Sequence, residues 1–351
     1  YRIRFHTYFI IGEDVRIMIK KTENEIVSGW KKKETPIVSI KCLAYNHEKY
    51  IADALDSFLM QKTNFPFEIV IHDDASKDRT SDIILEYQRA FPHIVKPIYE
   101  KENQYSKGSG IMNRIIDEKI TGKYVALCEG DDYWTNEDKL QLQFDAMEKH
   151  LEVDICAHAV RKINAVSGKA LGIISPQKES GVISVSRVIA GGGGFVGTNS
   201  LFYRKKAFDS VLPFRKLLEI DYTLQVQGAL RGGMLYLNDC MSDYRFMSEG
   251  SWSARYNNED VANAMNIRWI AMTNQLDIDT DRKYHDIIQR YMDLREVDRL
   301  LRFKHFEELR SYKSIYKKLE GKNRKKYYVM TNFPRTYTAL KKVRDRVKNG
   351  Q

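Results

Sequence analysis

Three carboxylates, Glu129, Asp131 and Asp132, fall within four residues directly after the apolar run at 124–128 (YVALC). So much negative charge beside a buried strand is unfavourable unless a cation neutralises it, and a hard divalent ion with oxygen ligands does so directly. Mg²⁺ or Mn²⁺ held by one or two carboxylates would complete its shell with substrate phosphates and water, whereas a solvated acidic turn would need no ion. A second carboxylate pair, Asp73 and Asp74, opens DDASKDRT after another apolar run. Such a pair needs hydrogen-bond donors or cations, or one member caps the helix that follows. A third polar loop, AYNHEKY, places Ala44, Tyr45 and Asn46 after a further apolar run, with Asn46 suited to capping.

The elements that must position these loops follow from hydrophobic periodicity. Residues 37–43 form a buried-strand run, and Ile51, Ala54, Leu55, Phe58 and Leu59 then recur at helical spacing. The unit repeats: strand 67–72 precedes a helix carrying Ile83, Ile84, Tyr87 and Phe91, and strand 94–99 follows, with Pro97 making it short or an edge. Residues 124–128 make a fourth strand before a helix marked by Leu140, Phe144 and Met147. Alternating strands and helices imply an α/β fold with a mainly parallel sheet, whose ligands bind at the carboxyl ends of the strands. Beyond residue 150 the pattern is mixed: strands at 153–159, 200–204 and 234–238, and a helix at 222–230. From Asn258 it is amphipathic and helical, and residues 1–35 read as an irregular lead-in.

A chain of 351 residues predicts one large α/β domain with an appendage, or two domains. Hydrophobic residues at 43%, charged residues at 30% and only 7 Pro exclude disordered and fibrous classes. The cysteines (Cys42, Cys128, Cys156, Cys240) are dispersed without a CxxC pair, which suits buried thiols in a reducing, cytoplasmic compartment and not a disulfide scaffold or a zinc site. No apolar run is long enough to span a bilayer, and no signal-peptide layout opens the chain, although its start at Tyr1 leaves room for an upstream segment. The net charge of +10 is concentrated in residues 281–351, which hold 21 Lys+Arg against 9 Asp+Glu. Basic residues there (Lys317, Lys318, Lys322, Arg324, Lys325, Lys326, Lys341, Lys342, Arg344, Arg346, Lys348) alternate with Tyr327, Tyr328, Val329, Phe333 and Tyr337. Such a segment can lie on an anionic membrane surface, or be a solvated helical tail.

VSIKCLAYN, EIVIHDDASKDRT and GKYVALCEGDDYW, in this order and at these separations, resemble the donor half of the family 2 glycosyltransferases with a GT-A fold. The likeness continues through FVGTNSLFYRK, EIDYTLQVQGALRGGMLYLND and SDYRFMSEGSWS, so it covers approximately residues 36–255. It implies a nucleotide-binding half at 36–150, an acceptor half at 151–255, and a basic helical region at 256–351. The resemblance implies a metal-dependent, inverting hexosyltransferase, moving sugar from a nucleotide diphosphate, UDP foremost, to a glycan or lipid-linked acceptor in bacterial polysaccharide and capsule synthesis. Ala44 and Tyr45 would lie along the nucleotide base and Asp74 would hold its ring nitrogen. Asp131 would sit near the ribose and metal, Asp132 would bind the metal, and Glu129 stands where many relatives carry the first Asp of the acidic motif. Lys107 would reach the phosphates, or remain a solvated loop lysine.

By the same resemblance Asp221 occupies the position of the catalytic base, with Glu219 as a less favoured substitute and a helix cap as the structural alternative. The run Gly191–Gly194, leading to Thr198 and Asn199, resembles the loop beneath the sugar, or is a hinge. Two departures stand out. Met247 replaces a His that serves many relatives as an extra metal ligand, and a thioether is a poor partner for a hard cation. Ala44 replaces a common Thr. The competing class of sugar-phosphate nucleotidylyltransferases would show a Gly-rich phosphate loop, which AYNHEKY lacks. A non-enzymatic RNA- or membrane-binding protein would use the basic tail but leaves the acidic loops unexplained, and nucleic acid is not expected as a partner.

Overall fold

The structure is a computed structural model, and it describes residues 21–31, 35–108, 110–248, 258–312 and 321–333. The chain divides into two compact units, residues 1–250 and 251–351.

The first unit alternates strands and helices: α1 (Glu23–Ser28), β1 (Val38–Ala44), α2 (Ile51–Leu59), β2 (Phe67–Asp73), α3 (Thr80–Ala90), β3 (Val95–Tyr99), α4 (Ile111–Asp117) and β4 (Tyr124–Leu127). Next come β5 (Tyr133–Trp134), α5 (Lys139–Lys149), β6 (Ile155–Asn164), β7 (Ala170–Ile174), β8 (Gly181–Ile183) and α6 (Val185–Gly191). The unit closes with β9 (Phe202–Arg204), α7 (Pro213–Leu217), α8 (Asp221–Ala229) and β10 (Met234–Phe246). All ten strands join one sheet in the order β3-β2-β1-β4-β9-β6-β10-β5, with β7 on β6 and β8 on β10.

β3, β2, β1 and β4 are parallel neighbours, as the βαβ periodicity predicts. β9 then runs antiparallel between β4 and β6, and β6 and β10 pair in parallel, so the second half is mixed. β3, with Pro97, is an edge strand. β1, β2 and β4 are almost continuously buried, with Ser39, Lys41, Glu68 and His72 enclosed among their apolar residues, and Ile40, Leu55, Phe58, Ile69 and Ile84 are fully buried in the core. This core aligns the carboxyl ends of β1, β2 and β4 at one rim.

The lead-in contains a short helix that the periodicity missed. α1 is held by a capping box in which Thr22 accepts from the Glu25 amide and Glu25 reaches back to the Thr22 amide. Residues 1–20 lie outside the described residues. The cysteines Cys42, Cys128 and Cys156 are buried free thiols, and Cys240 is exposed.

In the second unit the described residues form α9 (Glu259–Asp279), α10 (His285–Phe303), α11 (Phe306–Ser311) and α12 (Gly321–Asn332). Val297, Leu300, Leu301, Leu309, Tyr327 and Met330 make its small core. Tyr327, which the interleaved pattern offered to a membrane, is instead 3% exposed and donates to the Leu309 carbonyl at 2.9 Å. Arg324, Lys325, Tyr328 and Phe333 are exposed. The remaining basic cluster at Lys317, Lys318 and 341–348, and Tyr337, lies outside the described residues. No helix among the described residues is long and apolar enough to cross a membrane.

Candidate functional site

At the rim of β1, β2 and β4 the acidic loop 128–132 is fixed by its neighbours on every side. Gly130 lets it pack against the loop after β1: a Cβ there would stand 2.8 Å from both His47 Nδ1 and Ile51 Cδ1 and 3.3 Å from the Ala44 Cβ. Ala44 is therefore buried beneath the loop, and Tyr45 beside it is 39% exposed at the mouth.

β5, directly after the loop, pairs antiparallel with β10. Alternate residues of β10 point to one face, and from it Asp243 reaches Tyr133 of β5 while Arg245 reaches the loop. Asp243 accepts a bidentate Arg161 fork at 2.7 and 2.6 Å and the Tyr133 hydroxyl at 2.6 Å. Arg245 Nη1 donates to the Asp131 carbonyl at 2.9 Å, and its Nη2 pairs with Asp53 of α2. The guanidinium lies 4.5 Å from the Tyr133 ring centroid and 5.1 Å from that of Tyr50. Planar stacking and forked donors are what an arginine offers and a lysine does not.

Each carboxylate then has its own surroundings. Asp132 is buried, and its Oδ1 accepts from the Arg245 amide at 2.8 Å while Oδ2 accepts from Asn199 Nδ2 at 3.1 Å. Asp131 Oδ2 accepts from the Ser248 hydroxyl at 2.6 Å. Burial, then repulsion from Asp131, pushes the Asp132 carboxyl well above the usual range against the pull of the Arg245 amide. Burial, then Asp221 and Asp131, does the same to Glu129. Asp221 is the first residue of α8, its Oδ2 accepts from the Thr198 hydroxyl, and burial raises its pKa while Thr198 and Lys41 oppose the rise. Glu129 and Asp221 are both exposed to solvent, whereas Asp132 is buried.

The fold thus brings Asp221 near the acidic loop, where with Asp131 it disfavours the charge of Glu129, although Asp221 is some ninety positions away in sequence. It also decides the helix-cap alternative for Asp221, because Ile220 is the N-cap. Asp74 is engaged elsewhere: its carboxylate accepts from the amides of Gln104 and Tyr105 at 2.6 and 3.1 Å, so holding a base would require those bonds to be exchanged. Lys107 forms an exposed ion pair with Glu102 at 2.8 Å. Asn46 has φ 56° and accepts from the Lys77 amide at 2.8 Å, tying the first two loops together. The glycine run ends α6, with Gly192 at φ 69°. Arg245, Asp53, Asp243 and the Arg161 fork escaped the sequence reading. Arg245 lay within SDYRFMSEGSWS, whereas Asp53 gives no local signal.

Among the described residues no three His, Cys, Asp or Glu side chains converge as a closed metal cage, so Glu129, Asp131 and Asp132 are not a preformed three-ligand set. The donor chemistry still suits a hard divalent ion. Burial and neighbouring carboxylates disfavour the charged forms of Glu129 and Asp132, a condition that a cation reverses. One or two such carboxylates with phosphate oxygens and water make a usual Mg²⁺ shell.

Residues 39–212 match the family model described as glycosyl transferase family 2. The chain carries a family 2 glycosyltransferase domain. An uncharacterized protein of Mycobacterium bovis is 36% identical over 221 residues, covering 62% of this chain and 61% of the relative's length. The Bacillus subtilis protein named as teichuronic acid biosynthesis glycosyltransferase TuaG is 34% identical over 121 residues, 34% of this chain and 44% of its own. The chain therefore spans less than two thirds of the length of these relatives. Among solved structures, S. aureus TarS 1–349 in complex with UDP-GlcNAc aligns with a TM-score of 0.57 at 19% identity, covering 83% of this chain and 78% of that one. A Pyrobaculum calidifontis mannosyltransferase in complex with GDP-Man and Mn²⁺ aligns at 0.52 and 13% identity, covering 88% and 84%. At such identities the likeness is one of fold, and that fold is the GT-A arrangement of the glycosyltransferase domain.

Proposed function

We propose that the protein transfers a sugar from a nucleotide diphosphate, UDP foremost, to a hydroxyl of a glycan or lipid-linked acceptor, with inversion at C1. The observation that carries this reading is that adjacent residues of one turn hold Asp221 and the acidic loop, Thr198 donating to Asp221 and Asn199 to Asp132. Asp221 takes the acceptor hydroxyl's proton as that oxygen attacks C1, and the bond from C1 to the diphosphate oxygen breaks. Its shift above the usual carboxylate range makes it a better proton acceptor, and Thr198 holds its orientation. Asp132 and Asp131, with Glu129 beside them, would hold Mn²⁺ or Mg²⁺, which supplies charge neutralisation to the departing diphosphate. Tyr45 offers an exposed ring at the mouth for a nucleobase.

TuaG's name and the nucleotide sugars in the two solved relatives support a role in cell-surface polysaccharide synthesis. We place the protein in the cytoplasm at the inner face of the membrane. Its buried thiols and basic C-terminal region support that placement.

The test is a panel of UDP-, GDP- and dTDP-sugars, assayed by saturation-transfer binding and by hydrolysis with Mn²⁺, Mg²⁺ or EDTA. At least one donor should bind and turn over with metal. Absence of binding across the panel overturns the donor reading, and full turnover in EDTA overturns the metal role.

A further inference from the structure

The 3-10 turn Thr198–Ser200 stands between the two parts of the site and is bonded to both. Thr198 Oγ1 donates to Asp221, and Asn199 Nδ2 donates to Asp132. Asn199 is fully buried and both of its amide N–H donors are engaged. Nδ2 also donates to the Asp243 carbonyl at 2.9 Å, and Oδ1 accepts from the Ser242 hydroxyl at 3.0 Å. With two acceptors facing the nitrogen and a hydroxyl facing the oxygen, one orientation of the amide satisfies the network best.

The turn's backbone is equally constrained. The Asn199 carbonyl accepts from Trp134 Nε1 at 3.0 Å, the Ser200 carbonyl from Gln143 Nε2 at 2.9 Å, and Ser200 Oγ donates to the Gly197 carbonyl at 2.6 Å. Gly197 admits no side chain, since a Cβ would stand 2.8 Å from Val160 Cγ2 and 3.1 Å from Asn199 Oδ1. Trp134, Gln143, Val160 and Ser242 belong to four different elements, so the turn is pinned from β5, α5, β6 and β10.

We propose that Thr198 and Asn199 are paired positioning residues, Thr198 aiming Asp221 at the acceptor hydroxyl and Asn199 aiming Asp132 at the metal and diphosphate. The peptide bond between them fixes the distance from the base to the departing group. This rests on the reading of Asp221 and Asp132 given above. Misplacing a reacting group by about 1 Å costs on the order of 10²-fold in rate, so a rigid link between the two carboxylates has direct kinetic consequence.

The test uses the full chain with Mn²⁺ and UDP as probes. Bound Mn²⁺ is read from the loss of its free-ion paramagnetic resonance signal, and kcat and KM are measured on whichever panel donor turns over. Asn199→Ala should weaken Mn²⁺ binding in the presence of UDP by roughly 10–100-fold, the usual effect of removing a residue that orients a metal ligand. Thr198→Val should leave Mn²⁺ and UDP binding within about twofold and lower kcat by roughly 10–100-fold, and Thr198→Ser, which keeps the hydroxyl, should restore it. Melting temperatures of all variants separate these effects from general unfolding. If Asn199→Ala folds poorly, Asn199→Leu, which fills a similar volume without a donor, provides the same comparison. Wild-type Mn²⁺ affinity in these Asn199 variants, or a Thr198→Val enzyme that loses binding and kcat together, overturns the positioning roles. A wild-type chain that binds neither Mn²⁺ with UDP nor any panel donor fails the nucleotide-sugar reading first, and the positioning roles fall with it.

Discussion

Asp132→Asn removes a charge without changing volume, yet the hydrogen bonds around it make the substitution more than a neutralisation. Both carboxylate oxygens accept from N–H groups, and an amide offers one acceptor and one donor. The new NH₂ must face either the Arg245 amide, which is backbone and fixed, or Asn199 Nδ2, which cannot flip without losing Asp243 and Ser242. One buried donor is left unmet, at a cost of about 1–3 kcal/mol. Against this, the variant sheds a carboxylate that burial and Asp131 already disfavour in its charged form, so the net loss should lie at the lower end. At about 2–4 °C per kcal/mol for a domain of this size, the ligand-free melting temperature should fall by no more than roughly 10 °C. Ligand linkage gives the sharper reading. With Mn²⁺ and UDP at about 100 times their dissociation constant, wild type should gain about 2.7 kcal/mol, and a tenfold weaker variant about 1.4 kcal/mol at the same concentrations. Thermal melts with and without Mn²⁺ and UDP, and with EDTA, measure both quantities. A ligand-induced shift equal to that of wild type would refute the assignment of Asp132 to the metal.

Asp221→Asn should bind UDP and Mn²⁺ as wild type does but turn over roughly 10²–10⁴ times more slowly, and the wild-type product should carry the inverted anomer; retained configuration at C1 by NMR removes Asp221 as base. Gly130→Ala drives a methyl into His47 and Ile51 and should destabilise the fold by about 1–3 kcal/mol while weakening donor binding, so a variant matching wild type in denaturant melts and in binding would show that the loop can yield. Lys139 is buried against Gln143 at 2.7 Å and over the Trp134 ring, and burial lowers its pKa to about 7. Because the unfolded chain holds that proton up to about pH 10.4, stability should rise with pH between about 7 and 10 and be lost as pH falls through 7. Lys139→Met should remove that rise, and identical pH slopes in denaturant melts of the two chains would contradict it. Ending the chain at residue 333, which preserves Tyr327 and Met330 in the helical core, should abolish binding to anionic vesicles without lowering the melting temperature; undiminished cosedimentation would mean that the deleted segment is not the anchor.

The strands of the first half were legible because burial on both faces favours apolar runs, and residues 37–43, 67–72 and 124–128 supply mostly apolar runs, interrupted by Ser39, Lys41, Glu68 and His72. The acidic loop was legible because charge directly after such a run is energetically unusual. β7 was not: its ALGII sequence is apolar yet exposed, so hydrophobicity gives the wrong cue. β5 is two residues long and exists only because β10 pairs with it. The bonds that hold the site were out of reach for the same reason. Arg245 meets Asp53 across 192 positions, and Asp74 spends its carboxylate on amides 30 and 31 residues away, contacts that no local window contains. Thr22 and Glu25, by contrast, were a readable capping box in a segment taken as irregular.

The placement of β9 between β4 and β6 has a consequence for the order of assembly. Among the described residues two short strands join the half that emerges first from the ribosome to the half that carries Asp221 and Arg245: the three-residue β9 pairs with β4, and the two-residue β5 pairs with β10. Until residues 198–204 dock, the acidic loop has neither Asn199 nor the β10 amide to accept from, and its carboxylates face one another without restraint. Pairings this distant in sequence form late. A nascent chain that has only its nucleotide-binding half therefore lacks the donors that shape the metal side of the cleft. On the roles proposed for Asp132 and Asp221, competence to grip a diphosphate would arrive together with the base that uses it, and a half-made chain would not sequester donor.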